Sequence, residues 1–455
     1  MKSSNKFFQN KKVLLVGLGI LGGGTSMAKF IIEQGGELTV TDLRAKDLLQ
    51  KELVVVETFA KKKGKKVKFV LEKHEEMDFK THDVVVFNPA VPYFSTWPQF
   101  CLKNKIEHYN DFTLFQEYLL FKYKDNLSKK PRQVWITGTR GKSTTTAFIH
   151  HLLGPKAVIG GNVLGQGLQK ISSSVCEYFV LETSNYQLEY PIYNKEIVEP
   201  SVAVITNIFI DHINRHKTVP EYRRVKKLIF SYNKDVALFL NKDEKSVEEI
   251  IHASSGLDIS TVSNFDSLYK KYKKFSKNQI VSLAFAIAIA EYFDVPDKYI
   301  KSRVKTLKVP KMRQEVVYES KKFRIINDST ATSPDALLAS LSGFPNAYFI
   351  SGGTDAELDF SNLIKEIKRI KIVDQNRMFF LKGSATGIIL KKIGNRKIYE
   401  SLEVAIRDIL EAIKIKKVRG QSTIILSPGA KSFGLFKNEY DRGEMFNKIV
   451  KKIFV

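Results

Sequence analysis

Lysine, serine and threonine stand together at 142–144 behind two glycines, in the run Ile136-Thr-Gly-Thr-Arg-Gly-Lys-Ser-Thr144. Such a turn grips phosphate: successive backbone N–H groups face one anion, and the ammonium of Lys142 reaches the outer phosphates. The hydroxyl of Ser143 or Thr144 is placed to ligate Mg²⁺. The eight-position phosphate-loop pattern calls for glycine at 136, where this chain has Ile, so the shorter G-T-x-G-K-S core carries the reading. Further along, Glu182 closes the apolar run Tyr178-Phe-Val-Leu-Glu182, and Asp211-His212 follows Val202-Ala-Val-Ile-Thr-Asn207. A carboxylate and an imidazole beside bound phosphates are the partners that Mg²⁺ ions need.

These side chains need a scaffold that brings strand ends to one edge. Val134-Trp-Ile136 reads as a strand and Thr145–Leu153 as the helix after the loop. Earlier, Lys12-Val-Leu-Leu-Val-Gly-Leu-Gly-Ile-Leu-Gly22 is a strand entering G-x-G-x-x-G, with a helix over 26–34. The strand Glu37–Asp42 then ends in an acid 20 positions after Gly22. That is the dinucleotide-fold fingerprint, whose glycines admit a diphosphate and whose carboxylate reaches a ribose hydroxyl. Any diphosphate nucleotide fits such a turn, so it signals a fold more than NAD. A strand at 83–87 runs into Asn88-Pro-Ala-Val-Pro92, and a polar stretch ending at Pro131 reads as a linker. Helical segments are expected at 221–230, which carries Lys226, and at 281–293. Strands at 323–326 and 423–426 precede Asn327–Ser333 and Ser427–Phe433, and a strand at 348–353 ends in Gly352-Gly353, so this block too is α/β.

A chain of 455 residues, 43% hydrophobic and 27% charged, suits about three soluble domains. Two cysteines make no disulfide framework and fit a reducing cytosol. The net charge of +25 comes from scattered lysines without a nucleic-acid motif, which is a solvated surface that helps to steer polyanions. The N-terminal apolar run is short and broken by glycine, unlike a signal peptide, and the stretch 280–290 is too short to span a bilayer.

Together these stretches resemble the Mur ligase family, ATP-dependent enzymes that add amino acids to the peptidoglycan precursor. The shared signals are G-T-R-G-K-S-T, L-E-T-S-N-Y-Q-L-E and T-N-I-F-I-D-H-I-N-R-H. M-R-Q-E-V-V, I-N-D-S-T-A-T, I-S-G-G and L-S-P-G-A-K-S-F-G-L-F-K-N-E-Y-D-R-G resemble the branch that joins D-glutamate to UDP-N-acetylmuramoyl-L-alanine through an acyl phosphate. The likeness runs over nearly the whole chain. It implies a Rossmann-like UDP-binding domain at 1–108, a central P-loop-type ATPase domain with a parallel sheet at 109–308, and a Rossmann-like amino-acid-binding domain at 309–455.

By position, the resemblance puts Gly19, Ile20, Leu21, Asp42, Leu43 and Arg44 around uridine and diphosphate, with Asn162 and Ser184 along the muramoyl-alanine end. Gly138, Thr139, Arg140, Gly141, Lys142, Ser143 and Thr144 hold ATP, together with Arg313 and Asp328. Ser143, Glu182, His212 and Lys226 match metal positions for two Mg²⁺ ions, and Lys226 matches a lysine that the family carbamylates. Lys142, His212 and Lys226 carry the catalysis; Thr332 and Ser432 face the incoming amino acid. A cytoplasmic monomer with small-molecule substrates, no nucleic acid and no membrane is implied. Four positions depart from the pattern: Thr330 and Ala356 stand where lysines are expected, Asn214 replaces an Asp and Val281 an Asn. Sister ligases using another amino acid, a folylpolyglutamate-type ligase and a nucleotide-sensing protein share most of these motifs.

Overall fold

A computed structural model describes residues 6–20, 22–163, 166–194, 199–209, 213–243, 250, 257–263, 265–355, 358–374, 376–417, 420–432 and 434–455. Leu21, Asp211, His212 and Ala356 lie outside the described residues, as does the side chain of Asn214. The chain divides into two compact units, Met1–Asn264 with Ser282–Thr306, and Phe265–Val281 with Leu307–Val455.

The first unit holds two all-parallel sheets. Strands β1 (Lys12–Val16), β2 (Glu37–Asp42), β3 (Val67–Leu71), β4 (Val84–Phe87) and β5 (Glu107–Asn110) lie in the order β3-β2-β1-β4-β5. Val13 to Val16 and Val84 to Phe87 are wholly buried, because helices cover both faces and each strand reads as a continuous apolar run. The chain winds outward from β1 through β2 to β3, then returns to β4 on the other side of β1. The turns after β1 and β4 therefore leave a crevice at the carboxyl edge, where open parallel sheets bind ligands.

The second sheet repeats this logic. Strands β6 (Arg132–Thr137), β7 (Ala157–Gly161), β8 (Tyr178–Glu182), β9 (Val202–Ile205), β10 (Ala237–Asn241) and β11 (Asp258–Val262) take the order β11-β10-β9-β6-β8-β7. Central β6 pairs with β8 in the register Ile136↔Glu182 and with β9 in the register Thr137↔Ile205. Both sheets contribute to one buried cluster that includes Leu15, Val40, Phe115, Trp135 and Phe179. Among the described residues, no helix is long and apolar enough to cross a membrane.

The second unit carries a mixed sheet, β12 (Glu315–Glu319), β13 (Phe323–Asn327), β14 (Tyr348–Gly352), β15 (Met378–Leu381), β16 (Ile398–Tyr399) and β17 (Ser422–Leu426). Its order is β12-β13-β17-β14-β15-β16, and edge strand β12 runs antiparallel to β13. Separate apolar clusters, one around Phe349 and Leu363 and one around Ile350 and Ile409, pack its two faces.

Most strands named from the sequence are where they were expected. The helix after the phosphate loop starts at Lys142 instead of Thr145, because Gly141 at φ 80° caps it immediately. Strands β3, β5, β7, β10, β11, β12, β15 and β16 were not expected. Glu107-His-Tyr-Asn110 has no apolar pattern of its own, and its place comes from pairing with buried β4.

Behind the third sheet's carboxyl edge lies a fully buried guanidinium. Arg442 donates from Nε to Ser329 Oγ (3.0 Å) and from Nη2 to Ser329 O (2.8 Å), and it reaches Ala430 O at 3.4 Å. Burial pushes this guanidinium down to about 10, so it stays charged at neutral pH. It ties the loop after β13 to the loop after β17. Arg442→Met removes these donors from buried acceptors and is expected to lower stability by about 2–4 kcal/mol, read by urea unfolding.

Candidate active site

The loop between β6 and the helix Lys142–Leu153 is shaped by glycine. Gly138 sits at φ 144°, and an added Cβ would collide with Thr206 Oγ1. Neighbouring strand β9 continues into Thr206-Asn207, which clamps the loop: Thr206 Oγ donates to Arg140 O (2.6 Å), and Asn207 Oδ1 accepts from Arg140 N (2.8 Å). Thr139 Oγ1 accepts from Phe209 N at 2.9 Å and lies 2.9 Å from the Tyr222 hydroxyl. Lys142 Nζ donates to the carbonyls of Gly138 (2.9 Å) and Thr139 (3.2 Å). Ser143 is half-buried and Thr144 buried in the helix's first turn. Helix N-terminus, ammonium and hydroxyls thus meet at one anion-binding end.

Two further candidates lie on this edge. Glu182 ends β8 beside Ile136, only 3% exposed. Its Oε1 accepts from Asn162 Nδ2 at 3.0 Å, and its Oε2 has no hydrogen-bond partner among the described residues. Gly161 at φ 80° lets the turn to Asn162 pass against the Glu182 carbonyl, which accepts from Asn162 N at 2.7 Å. Lys226, 1% exposed, lies on the helix Val219–Lys227 and donates to Gly138 O at 3.0 Å, with Nζ 4.8 Å from the Tyr222 ring centre. A helical lysine 88 positions beyond Gly138 therefore shares that residue's carbonyl with the phosphate-loop lysine. Ser184 caps the helix Asn185–Leu188 in a reciprocal box with Gln187, whose amide donates to both oxygens of Asp111 at 3.1 and 3.0 Å. Burial lifts the Asp111 carboxyl to about 6, with the Gln187 bond opposing that rise.

On the first sheet Asp42 braces the glycine turn from within. Its Oδ2 accepts from Leu18 N (2.9 Å) and Gly19 N (3.2 Å), and its Oδ1 accepts from Arg44 N (2.9 Å). At 2% exposure this carboxylate shapes the turn, a use that the ribose-binding expectation did not contain. Ile20, Leu43 and the Arg44 side chain are exposed around it, 52%, 65% and 48% respectively, an open rim with an apolar face and a cation.

In the second unit the candidates gather at strand ends of the third sheet. Asp328 follows β13 and is 7% exposed; its Oδ2 accepts from Ser340 Oγ (2.8 Å) and Ser427 Oγ (3.2 Å), and its Oδ1 from Gln314 N (3.2 Å). Arg313 is half-buried and its charge acts on Asp328. Thr332 is half-buried, while Ser432 is 3% exposed with an Oγ that has no partner among the described residues. Thr330 donates to Met312 O at 2.7 Å, so this hydroxyl pins the 310–314 turn. Val281 is a half-buried residue of the helix Lys277–Tyr292.

The motifs carried this far, but the clamps Thr206, Asn207 and Tyr222 were not singled out. Thr206 and Asn207 open the motif T-N-I-F-I-D-H-I-N-R-H and follow a strand that flanks the phosphate loop, which must supply partners for its backbone.

Fold and site define a three-sheet α/β nucleotide-binding protein with a phosphate loop at the switch point of its central sheet. The family model of the Mur ligase middle domain matches residues 136–307. A UDP-N-acetylmuramoylalanine–D-glutamate ligase of Roseiflexus sp. is 31% identical over 97% of this chain and 98% of its own length. One from Borreliella burgdorferi is 27% identical over 98% of both. Two Thermotoga maritima structures share the fold: a MurF ligase in complex with ADP (TM-score 0.57, 14% identity, 98% of this chain and 96% of that one), and UDP-N-acetylmuramate–alanine ligase (TM-score 0.55, 15% identity, 97% and 100%). The chain belongs to the Mur ligase family.

Desolvation raises the Asp328 carboxyl from 3.8 to about 6, opposed by the Ser340 and Ser427 hydroxyls and by Arg313. The fold thus favours its protonated form. The associated stability is fully present below about pH 4 and lost as pH rises through about 6, about 3 kcal/mol in all. Urea midpoints of wild type and Asp328→Asn, measured from pH 4 to 7, are expected to show wild type losing stability relative to the variant as pH rises.

Proposed function

We propose that the chain is an ATP-dependent ligase that joins D-glutamate to UDP-N-acetylmuramoyl-L-alanine in peptidoglycan precursor synthesis. The observation that carries this reading is the carboxyl edge of the second sheet. There a glycine-shaped phosphate loop, a buried carboxylate with one oxygen open and a buried lysine converge. The full-length likeness to D-glutamate ligases supports the substrates.

In this reading the domains run 1–108, 109–308 and 309–455, each range carrying one sheet apart from the last two residues of β5. Gly19, Ile20, Leu21, Asp42, Leu43 and Arg44 take the UDP end, Asp42 by shaping the turn and Arg44 by meeting the diphosphate. Asn162 and Ser184 line the muramoyl-alanine end. Residues 138–144 hold ATP, with Arg313 and Asp328 also on the nucleotide. Thr332 and Ser432 hold the amino acid, and the open hydroxyl of Ser432 suits a polar ligand.

The L-alanyl carboxylate oxygen attacks the γ-phosphorus of ATP, the bond to the β-phosphate oxygen breaks, and ADP leaves. Two anions meet, so Lys142 turns from its own loop's carbonyls to the transferring oxygens and offsets their charge. The amine of D-glutamate then attacks the acyl carbon, and phosphate departs as the amide forms. The open oxygen of Glu182 fits a hard cation; Ser143, His212 and carbamylated Lys226 complete the set for two Mg²⁺ ions. When bound, Mg²⁺ supplies charge neutralisation to the phosphates. After its ammonium loses a proton, the neutral Lys226 amine would form an N–C bond to CO₂ and release a second proton, so that a cation becomes a carbamate anion able to hold Mg²⁺. The protein is a cytoplasmic monomer acting on small molecules, with no membrane or nucleic-acid partner.

ADP release with UDP-N-acetylmuramoyl-L-alanine is expected to require D-glutamate and to be near background with L-glutamate, L-alanine or L-lysine. Equal stimulation by another amino acid would assign the chain to a sister activity, and Thr330 and Ala356 make this comparison the decisive one. Lys226→Ala is expected to lose at least about 100-fold in kcat and to recover part of it with added acetate. Lys226→Arg should stay inactive, because guanidinium keeps its charge and forms no carbamate; an active Arg variant would reduce Lys226 to a structural cation.

A further inference from the structure

Arg215 lies in the short helix Ile213–His216, and its guanidinium joins elements of both parallel sheets. On one side it forks onto Glu189, Nε to Oε1 at 2.7 Å and Nη2 to Oε2 at 2.6 Å, just past the helix that Ser184 caps. On the other it donates to three successive carbonyls of the turn after β4: Pro89 (3.0 Å), Ala90 (3.1 Å) and Val91 (3.4 Å). Its central carbon lies over the ring of Tyr186, 3.8 Å from the ring centre. Side-chain exposure is 8% for Arg215 and 3% for Glu189, so the pair is desolvated and geometrically fixed.

The turn that Arg215 holds is the wall of the diphosphate turn. Asn88 packs on Gly17 and Gly19, close enough that a Cβ on either would meet its side chain at 3.1 and 3.3 Å. Its Oδ1 accepts from Ala90 N at 3.0 Å. Tyr190 OH donates to Val91 O at 3.0 Å, and Tyr93 N to Glu189 Oε2 at 3.4 Å. His216 stands 3.6 Å from Glu189 and is buried, which disfavours its charged form and leaves Arg215 as the permanent cation of the cluster. A continuous chain of contacts therefore runs from the glycine turn through Asn88, the carbonyls of 89–91, Arg215 and Glu189 to the Ser184 helix.

We propose that Arg215 is a positioning residue that sets the spacing between the diphosphate turn of the first sheet and the acyl-transfer end at the second sheet. This rests on the ligase reading above. One substrate must reach both ends, so the binding energy of its nucleotide half is useful at the reacting carboxylate only if the spacing is held. A lysine here keeps the charge but cannot fork onto Glu189 and span three carbonyls at once.

The test uses the full chain as wild type, Arg215→Lys and Arg215→Met. kcat and KM are measured with UDP-N-acetylmuramoyl-L-alanine and with a truncated acceptor, N-acetylmuramoyl-L-alanine 1-phosphate, alongside UDP affinity by calorimetry. The expected result is a fall in kcat/KM of about 100-fold for the full acceptor, carried mainly by kcat, with less than about 3-fold change for the truncated one. UDP affinity should stay within about 3-fold, since UDP alone does not bridge the two ends. Equal losses with both acceptors, weakened UDP binding or loss of fold in Arg215→Lys would make the residue a plain structural clasp and overturn the proposal. Unchanged kinetics would overturn it too. If the truncated acceptor is inert even with wild type, unchanged UDP affinity with a kcat loss supports the proposal. Failure of wild type to release ADP with the full acceptor would instead strike the ligase reading itself.

Discussion

The carbonyl oxygen of Gly138 accepts hydrogen bonds from two lysines, Lys142 at 2.9 Å and Lys226 at 3.0 Å. One backbone acceptor thus fixes the position of both side chains, although they come from different helices. This arrangement exists because Gly138 takes a φ that other residues resist and because Thr206 leaves no room for a Cβ there. The same backbone geometry that aims loop N–H groups at phosphate aims this carbonyl at the lysines. The shape of the phosphate loop and the placement of the helix Val219–Lys227 are thereby tied to one peptide unit.

Around that unit, parallel topology does the gathering. Strands β6, β8 and β9 end on one edge, so the loop, Glu182 and the segment after Ile205 converge although their residues are far apart in the chain. The first sheet uses its own switch point between β1 and β4 in the same way. What joins the two edges is a buried ionic cluster, Arg215 with Glu189, and not only apolar packing. Apolar contacts tolerate small slides, whereas a forked ion pair with three carbonyl partners has one geometry.

The third sheet carries a different solution to buried charge. Asp328 is held by hydroxyls and a backbone N–H, and Arg442 by a hydroxyl and backbone carbonyls, while Arg313 and Glu439 act on them through charge alone. Neutral partners compensate less of the desolvation than an opposite charge would, and both groups are displaced toward their uncharged forms. The loops that present Thr332 and Ser432 are anchored by these two residues.

From the sequence alone, the strand–glycine–helix order, the parallel α/β class and the candidate residues of the phosphate loop could be read, because local backbone chemistry decides them. Glycine at 138 and 141 admits only a few turns, and Tyr178–Glu182 reads as a buried strand in any setting. Pattern alone did not reveal Glu107–Asn110 as a strand, since its order comes from pairing with β4. Nor did it show that the Asp42 carboxylate is consumed by Leu18, Gly19 and Arg44, or that Thr330 turns to Met312. Lys226 was identified through resemblance, and its helix by itself looks like a basic surface segment. Only the tertiary structure buries that lysine against Gly138 and threads Arg215 between two sheets. Local sequence sets which conformations and chemistries are available, while contacts between distant segments depend on how whole sheets stack.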